Sequence, residues 1–396
     1  MRPPLSGLRV IAVEQYGAGP YGSMQLADLG AEIIKIENPT EEGDMARRVG
    51  PFFVGPNDSQ FFQSFNRNKR SITLDLKRPG SRGVLHALAA RCDALIDNLR
   101  GDLPEKLGLT YAALAPANPK IVCAHLSAYG RSGSRAHWPG YDYLMQAETG
   151  YLSLTGEPDA PPSRMGLSIV DLMTGLFAAF ALVSGVLAAR ESGRGRDLDV
   201  SLFDCALQNL GYLATWYLNA GHLQTREPRS AHPSLVPSQL YRTREGFIFI
   251  MCNKEKFWPI LCERIGRPEW ASDPRFRTFK DRLEHRAEIN ALLDEALSER
   301  TSAEWLAEFA GQVPAAPVND IRQALENPFV AERGKIRDYA HPAGPPLRMV
   351  ACPIETPGEE LPQRAAPRLG ADTDEVLREC GFSDADLRAL RADRVI

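Results

Sequence analysis

Residues 172–189 (LMTGLFAAFALVSGVLAA) run for eighteen positions without a charge, and this stretch constrains the chain more than any other. Such a segment must be withdrawn from water over much of its length. It can cross a membrane, which takes about 20 apolar residues, or it can be the central helix of a large soluble core. It is rich in Ala and Gly, is bracketed by Asp171 and Arg190, and has no companion run of similar length. The expectation is a buried helix and no membrane association. A core to receive it is available, because 44% of the 396 residues are hydrophobic. That length predicts two domains, or one large domain with an insertion.

The segments before the helix supply the rest of that core. Short apolar runs at 8–13, 31–37, 71–76, 94–98 and 120–126 alternate with helical patterns such as 21–29 and 82–91. Strands that are apolar on both faces and separated by helices predict a parallel sheet covered on both sides. After the uncharged run, a strand at 198–202 and a helix at 203–218 are expected. The texture then changes to a Pro-punctuated segment. Two extended runs, 238–243 and 247–252, flank Arg244-Glu245-Gly246 and predict a hairpin, followed by helices at 256–265, 282–298 and 302–310. The predicted organisation is an α/β large domain with a parallel sheet over 1–224, a smaller α+β domain over 225–325, and a segment 326–396 that returns to the large domain. Asp372 and Glu375 are expected to start a final helix.

Charge and cysteine content exclude several functions. Lys plus Arg number 46 against 50 Asp plus Glu, a net charge of −4 with no basic stripe, so no nucleic-acid partner is expected. Seven scattered cysteines form no C-x-x-C pair and predict free thiols in a reducing compartment. The first residues lack the apolar core of a signal peptide, and a cytoplasmic location follows as the expectation. The histidines form no metal set, and neither a G-x-S-x-G elbow nor a P-loop lysine motif occurs.

Five short features carry possible chemistry. Gly17, Gly19 and Gly22 fit G-x-G-x-x-G with Glu37 about twenty residues on, the spacing of a dinucleotide fingerprint. Against that, Glu14-Gln15-Tyr16 intervene after the strand, and Pro20 removes an amide where a pyrophosphate would need one. A tight turn opening a helix, or a loop admitting another pyrophosphate ligand, fits the same residues. Asp171 stands at the start of the apolar helix, where Asp is favoured as an N-cap. The helix dipole would also hold its carboxylate ionised, and apolar neighbours would make it a better nucleophile. Gly140-Tyr141-Asp142-Tyr143 fits a helix start or a pocket wall. Arg67-Asn68-Lys69-Arg70 fits a solvated turn or a phosphate contact, and Arg47 a surface residue or a carboxylate clamp.

Taken in order, these patterns form a set. Leu5-Ser6-Gly7-Leu8-Arg9-Val10, Gly19-Pro20, Leu26-Ala27-Asp28-Leu29-Gly30-Ala31-Glu32, Gly43-Asp44 with Arg47, and Asn66-Arg67-Asn68-Lys69-Arg70 come first. Asp75-Leu76-Lys77, Asp97-Asn98, Gly140-Tyr141-Asp142, Asp171 with Thr174-Gly175, and Asp199-Val200-Ser201-Leu202 follow, then Asp273-Pro274-Arg275-Phe276 and Leu369-Gly370. The set resembles the class III CoA-transferases, the family that includes formyl-CoA transferase and α-methylacyl-CoA racemase, over nearly the whole chain. Within it, residues 140–147 and 231–237 look most like the branch that handles dicarboxylates.

The resemblance implies a Rossmann-like large domain, a small domain and an interlocked homodimer. It puts the family's nucleophile on Asp171, with Tyr141 and Asp142 beside the reacting centre. The substrates implied are a CoA thioester, succinyl-CoA or a related dicarboxylyl-CoA, and a free carboxylic acid, with no permanently bound cofactor and no metal. Contacts to CoA are implied at Leu74, Lys77, Asn98, Leu99 and near Lys106, with Gln15, Tyr16 and Ala18 by the thioester. Arg47 and Arg164 are the expected clamps for a distal carboxylate. Gly17 stands where formyl-CoA transferase has a glutamine and Asn38 where it has an arginine, and its Gly-rich flap has no counterpart, which argues against oxalate with formyl-CoA. The racemase is the alternative activity, but a histidine base there is Tyr141 here, whose ordinary pKa near 10 suits it poorly to that task. A non-catalytic CoA-binding protein is the second alternative.

Overall fold

The computed structural model describes residues 2–342 and 344–396. They divide into two units, one of 2–149, 166–211, 331–342 and 344–396 and another of 150–165 and 212–330. The second unit thus takes in 150–165 and begins at 212, earlier than the boundary at 225 expected from the change in texture.

The first unit is built on six parallel strands: β1 (Arg9–Val13), β2 (Glu32–Glu37), β3 (Arg70–Thr73), β4 (Ala94–Asp97), β5 (Val122–Ser127) and β6 (Arg196–Ser201). Their spatial order is β3-β2-β1-β4-β5-β6, every neighbouring pair parallel. This is the doubly wound dinucleotide-fold order, whose direction reverses between β1 and β4 and opens a crevice at the carboxyl ends of those strands. Strands 8–13, 31–37, 94–98 and 120–126 were all expected, and each has its core fully buried.

One face of the sheet packs against α2 (Ser81–Ala89) and the returning helices Thr373–Glu379 and Asp384–Ala392, around Ile11, Ile34, Leu85, Leu95, Val376 and Leu387. The Asp372 side chain does not open a capping box with Glu375. Its carboxylate accepts from the Ser71 amide at 2.8 Å, and the capping box forms one helix later, between Ser383 and Asp386.

On the other face lie α1 (Ala18–Asp28) and the long α4 (Ile169–Ser192), the latter ended by Gly193 in a left-handed turn. Between β5 and α4 runs a short helix, α3 (Asp142–Glu148). The two long helices meet backbone to backbone. A Cβ on Gly22 would lie 2.3 Å from the Gly175 carbonyl oxygen, and one on Gly175 would lie 2.4 Å from the Ala18 carbonyl oxygen. No side chain larger than hydrogen fits at either position.

Helix α4 is long and apolar enough to cross a membrane by length and composition, and 44% of its apolar window is buried. The expectation of a wholly buried helix is therefore met on one face only. Val170, Ala178, Leu182 and Val186 point inward, while Leu176, Phe180 and Leu187 are exposed. The helix expected at 203–218 is two, α5 (Leu202–Asn209) and Tyr212–Ala220, because Gly211 adopts a left-handed φ of 56° between them.

In the second unit, β7 (Ser238–Thr243), β8 (Gly246–Met251) and β9 (Ala315–Pro317) form an antiparallel sheet, with the hairpin in the expected place. Helices pack on it around Trp258, Phe276, Trp305 and Phe309.

Gly175→Ala should be resisted by two backbones rather than by a pliable side chain. We expect a loss of about 1–3 kcal/mol in urea unfolding, where the same change at Gly83, which has no atom within 4 Å of a built Cβ, should be neutral or stabilising.

Candidate active site

The crevice at the switch point contains two cavities of about 260 and 250 Å³. Gln15, Leu99 and Leu103 line both, so the cavities are joined along the carboxyl ends of β1 and β4. The first is walled by Ile36, Leu74, Leu76 and Lys77, and the second by Tyr16, Gly17, Asn98, Tyr141 and Asp171. Residues far apart in sequence are thus gathered into one groove.

Asp171 is not the N-cap of α4. It is the third helical residue, after Ser168 at the cap position, and its side chain is half-buried in the second cavity. The cap is supplied from elsewhere: Asp142 Oδ2 accepts from the Asp171 amide at 2.9 Å, while Gln146 Nε2 donates to Asp142 Oδ1 at 2.6 Å. Asp142 is therefore buried under the nucleophile candidate, and Tyr141, at the N-cap of α3, faces the cavity with its ring exposed. Burial pushes the Asp171 carboxyl up to about 7, and the nearby Asp142 carboxylate adds to the rise. The helix dipole alone would have held it lower, so desolvation and like charge prevail here.

Opposite Asp171, the glycines of the apparent dinucleotide fingerprint have other duties. A Cβ on Gly17 would lie 2.8 Å from Asp171 Oδ2, so this position must be bare for the carboxylate to occupy its place. Gly19 admits the Asn98 side chain, whose Cβ would be 2.9 Å from one built there. Gly22 serves the helix contact with Gly175. The motif is explained by close approach, and the NAD reading loses its only support.

The segment between β1 and α1 is held by buried charges. Asn98 brackets Gln15, accepting from its amide at 2.9 Å and donating to its carbonyl at 2.7 Å. Tyr16 turns through a left-handed φ of 69° and donates its amide to Asp44 Oδ1 at 3.0 Å. Lys35 Nζ reaches Asp44 Oδ2 at 2.9 Å and the Glu14 carbonyl at 2.8 Å. Glu14 Oε1 in turn accepts from Lys69 Nζ at 2.7 Å, and burial lowers Lys69 to about 8. On the other side of the site, His125 lies between Asp97 (2.6 Å) and Asp197 (2.9 Å). Burial opposes its charge, yet the two carboxylates outweigh burial and hold the imidazole at about 9. That clamp fixes Asp97, the residue before Asn98.

Arg47 is corrected by the structure. It is 1% exposed, and its Nε and Nη2 both bond Glu37 at 2.7 Å, with Nη2 also on the Pro367 carbonyl. The pair holds Glu37 down at about 2 against burial, which raises it. Both edges that could grip a substrate carboxylate are therefore used inside the protein. The run Arg67-Asn68-Lys69-Arg70 is likewise internal, with Arg67 on Asp28, Lys69 on Glu14 and Arg70 on Glu32 and Glu379. Arg164 belongs to the second unit, where its Nη1 donates to the Met165 carbonyl at 2.8 Å.

Of the expected CoA contacts, Gln15, Tyr16, Ala18, Leu74, Lys77, Asn98 and Leu99 line the joined groove. Lys106 lies outside both linings and pairs with Asp102 at 2.6 Å. The lining residues that escaped the sequence reading include Arg100, Met45 and Trp138. Arg100 follows Asn98-Leu99 directly, which was an available signal, whereas nothing in the sequence brings Trp138 to Asp171.

A doubly wound sheet, a groove at its switch point and an acid with a raised pKa in the groove wall define an α/β enzyme for a nucleotide-sized ligand. The chain belongs to CoA-transferase family III, which matches residues 5–373. It is 33% identical over 387 residues to the succinate–glutarate CoA-transferase of Agrobacterium fabrum, covering 96% of each chain. It is also 36% identical over 371 residues to the acetyl-CoA:oxalate CoA-transferase of Acetobacter aceti, covering 92% of this chain and 93% of the other. Among solved structures, a CAIB/BAIF family protein from Brucella suis superposes with a TM-score of 0.82 at 32% identity, over 96% of this chain and 100% of that one.

If the ionised Asp171 is the reactive form, its rate of acylation rises with pH through about 7 and levels off above it. Asp142→Asn removes the like charge and should move that inflection to lower pH, measured as kcat/KM for the acyl-CoA between pH 5.5 and 9. An inflection that stays in place would show that Asp142 does not act on Asp171 electrostatically.

Proposed function

We propose that this CoA-transferase moves CoA from succinyl-CoA, or a related dicarboxylyl-CoA, to a free carboxylate acceptor through covalent intermediates on Asp171. The observation that carries this reading is the half-buried Asp171 carboxylate, held opposite Gly17 in the cavity that continues into the Leu74–Lys77 groove. In that groove the nucleotide end of CoA lies by Lys77, and the pantetheine arm passes Leu99 and Leu103 to bring the thioester to Asp171. The dicarboxylate preference leans on the Agrobacterium relative.

The chemistry follows from the groups in place. The Asp171 carboxylate adds to the thioester carbonyl, the C–S bond breaks, and a mixed anhydride and CoA thiolate form. The thiolate attacks the Asp171 carbonyl, releasing the donor acid as its carboxylate and leaving an aspartyl-CoA thioester. The acceptor carboxylate then displaces CoA into a second anhydride, and the returning thiolate takes the acceptor acyl group and frees Asp171. Each exchange is divided into easier acyl transfers, with no net change in protons. Gly17 leaves room beside Asp171 Oδ2, and the hydrogen bond that the Asp171 amide donates to Asp142 fixes the backbone that carries the carboxylate. Arg47, sealed on Glu37, is not available as a clamp for a distal carboxylate.

Incubating succinyl-CoA with labelled glutarate in deuterated water tests the reading. Label should enter the CoA pool with no deuterium at the α-carbon, and Asp171→Ala should lose at least about 1,000-fold of the rate. Deuterium without label would instead establish racemase chemistry. Oxalate belongs among the acceptors because the Acetobacter relative is named for it.

A homodimer is part of this proposal. Leu176, Phe180 and Leu187 share one face of α4 and are 48%, 72% and 62% exposed in the single chain, a surface suited to a second copy. Sedimentation equilibrium should give twice the mass of 43.7 kDa, and a monomer at micromolar concentration would contradict the assignment.

A further inference from the structure

The wall of the Asp171 cavity that lies away from the CoA groove is made by Trp138, Pro139, Gly140 and Tyr141. Gln15, Leu99 and Leu103 join the two cavities, whereas these four residues belong to the Asp171 cavity alone. A thioester whose CoA arm enters past Leu99 brings its acyl chain into the cavity that these residues help to line.

The segment that carries the wall has no helix or strand, yet it is tied down at several points. Gly101 packs against it so closely that a Cβ there would lie 2.3 Å from the Gly130 carbonyl oxygen. Gly140 is pressed onto Ala128, with a built Cβ at 2.5 Å. Between these points, the Arg135 guanidinium lies 4.9 Å from the Trp138 ring centroid and 5.3 Å from that of Tyr129. The two rings meet edge to face at 6.1 Å. Glu148 on α3 closes the cluster, pairing with Arg135 and accepting from the Tyr129 hydroxyl at 2.8 Å. The Trp138 amide donates to the Arg135 carbonyl at 2.9 Å. A cation between two rings, anchored by a carboxylate, fixes the indole in one orientation.

Despite these ties, Trp138 keeps 46% of its surface open. Its neighbours in the lining include Met45, Leu126 and Leu202, so the cavity is apolar around the indole face, while Arg100, Ser127 and Tyr141 supply polar groups to the same lining. We infer that Trp138 is the residue that limits acyl-chain length in both donor and acceptor, and that Arg135 and Glu148 are positioning residues that hold it there. This deepens the CoA-transfer reading and rests on it.

The test is a chain-length series of acceptors, from malonate to pimelate, against succinyl-CoA. In Trp138→Ala, kcat/KM for the seven-carbon acid relative to glutarate should rise about 10-fold or more, the scale on which a hydrophobic pocket discriminates a methylene or two. Trp138→Phe should keep the wild-type profile. Glu148→Gln, which loosens Arg135, should shift the ratio in the same direction by less, an effect a purely structural loss would not produce, since that would lower all acceptors alike. Circular dichroism and thermal melts verify that each variant folds. Transfer that persists in Trp138→Ala with an unchanged ratio overturns the length limit and leaves the CoA-transfer reading standing. No transfer to any acceptor by the wild-type protein overturns the reading, and the limit with it.

Discussion

The contact between α1 and α4 at Gly22 and Gly175 governs this molecule. Two helix backbones approach so closely that a methyl group on either glycine would meet a carbonyl oxygen at 2.3 to 2.4 Å. Because α1 begins just after Gly17 and α4 begins just before Asp171, that one contact sets how far the loop at the switch point stands from the carboxylate. Gly17 completes the arrangement by leaving the carboxylate its space. The helix that the core needs for burial is thus the same element that carries the proposed nucleophile.

Around this contact the protein places charges where a core would ordinarily have none. Lys35, Lys69 and Arg47 are buried with Glu14, Glu37 and Asp44, and each cation has a carboxylate within 2.9 Å. A buried ion pair contributes little net stability, but removing one partner costs about 3–5 kcal/mol. The cluster therefore acts as a restraint. It holds the left-handed Tyr16 and the bracketed Gln15 at the mouth of the groove, with His125 and its two aspartates doing the same for Asn98 from the other side. Asp171 is the exception in this balanced set. Burial and the like charge of its neighbour Asp142 raise its carboxyl to about 7, a value suited to the nucleophilic role proposed for it.

Much of the fold was legible because strands and helices announce themselves by local pattern. The apolar runs at 8–13, 31–37, 94–98 and 120–126 lie in the six-stranded sheet, and the hairpin around Arg244-Glu245-Gly246 is where its residues predict. Failures came where a residue's partner was distant. Arg47 offered a clamp by its charge, and Glu37 on the neighbouring strand had already taken it. Asp372 offered a helix cap, and the Ser71 amide claimed it from β3. Asp171 looked like an N-cap, while the carboxylate that caps its amide is that of Asp142, 29 residues earlier.

The sequence by itself determined the α/β class, the family and the order of the motifs, because these depend on hydrophobic period and on residues read one after another. Only the tertiary structure decided what the motifs are for. It turned a glycine fingerprint into a set of close approaches, exchanged a free arginine for a buried pair, and brought Trp138 to the cavity of Asp171. The reason is physical: charge pairing, desolvation and backbone contact act through space, and a linear chain does not state its distances.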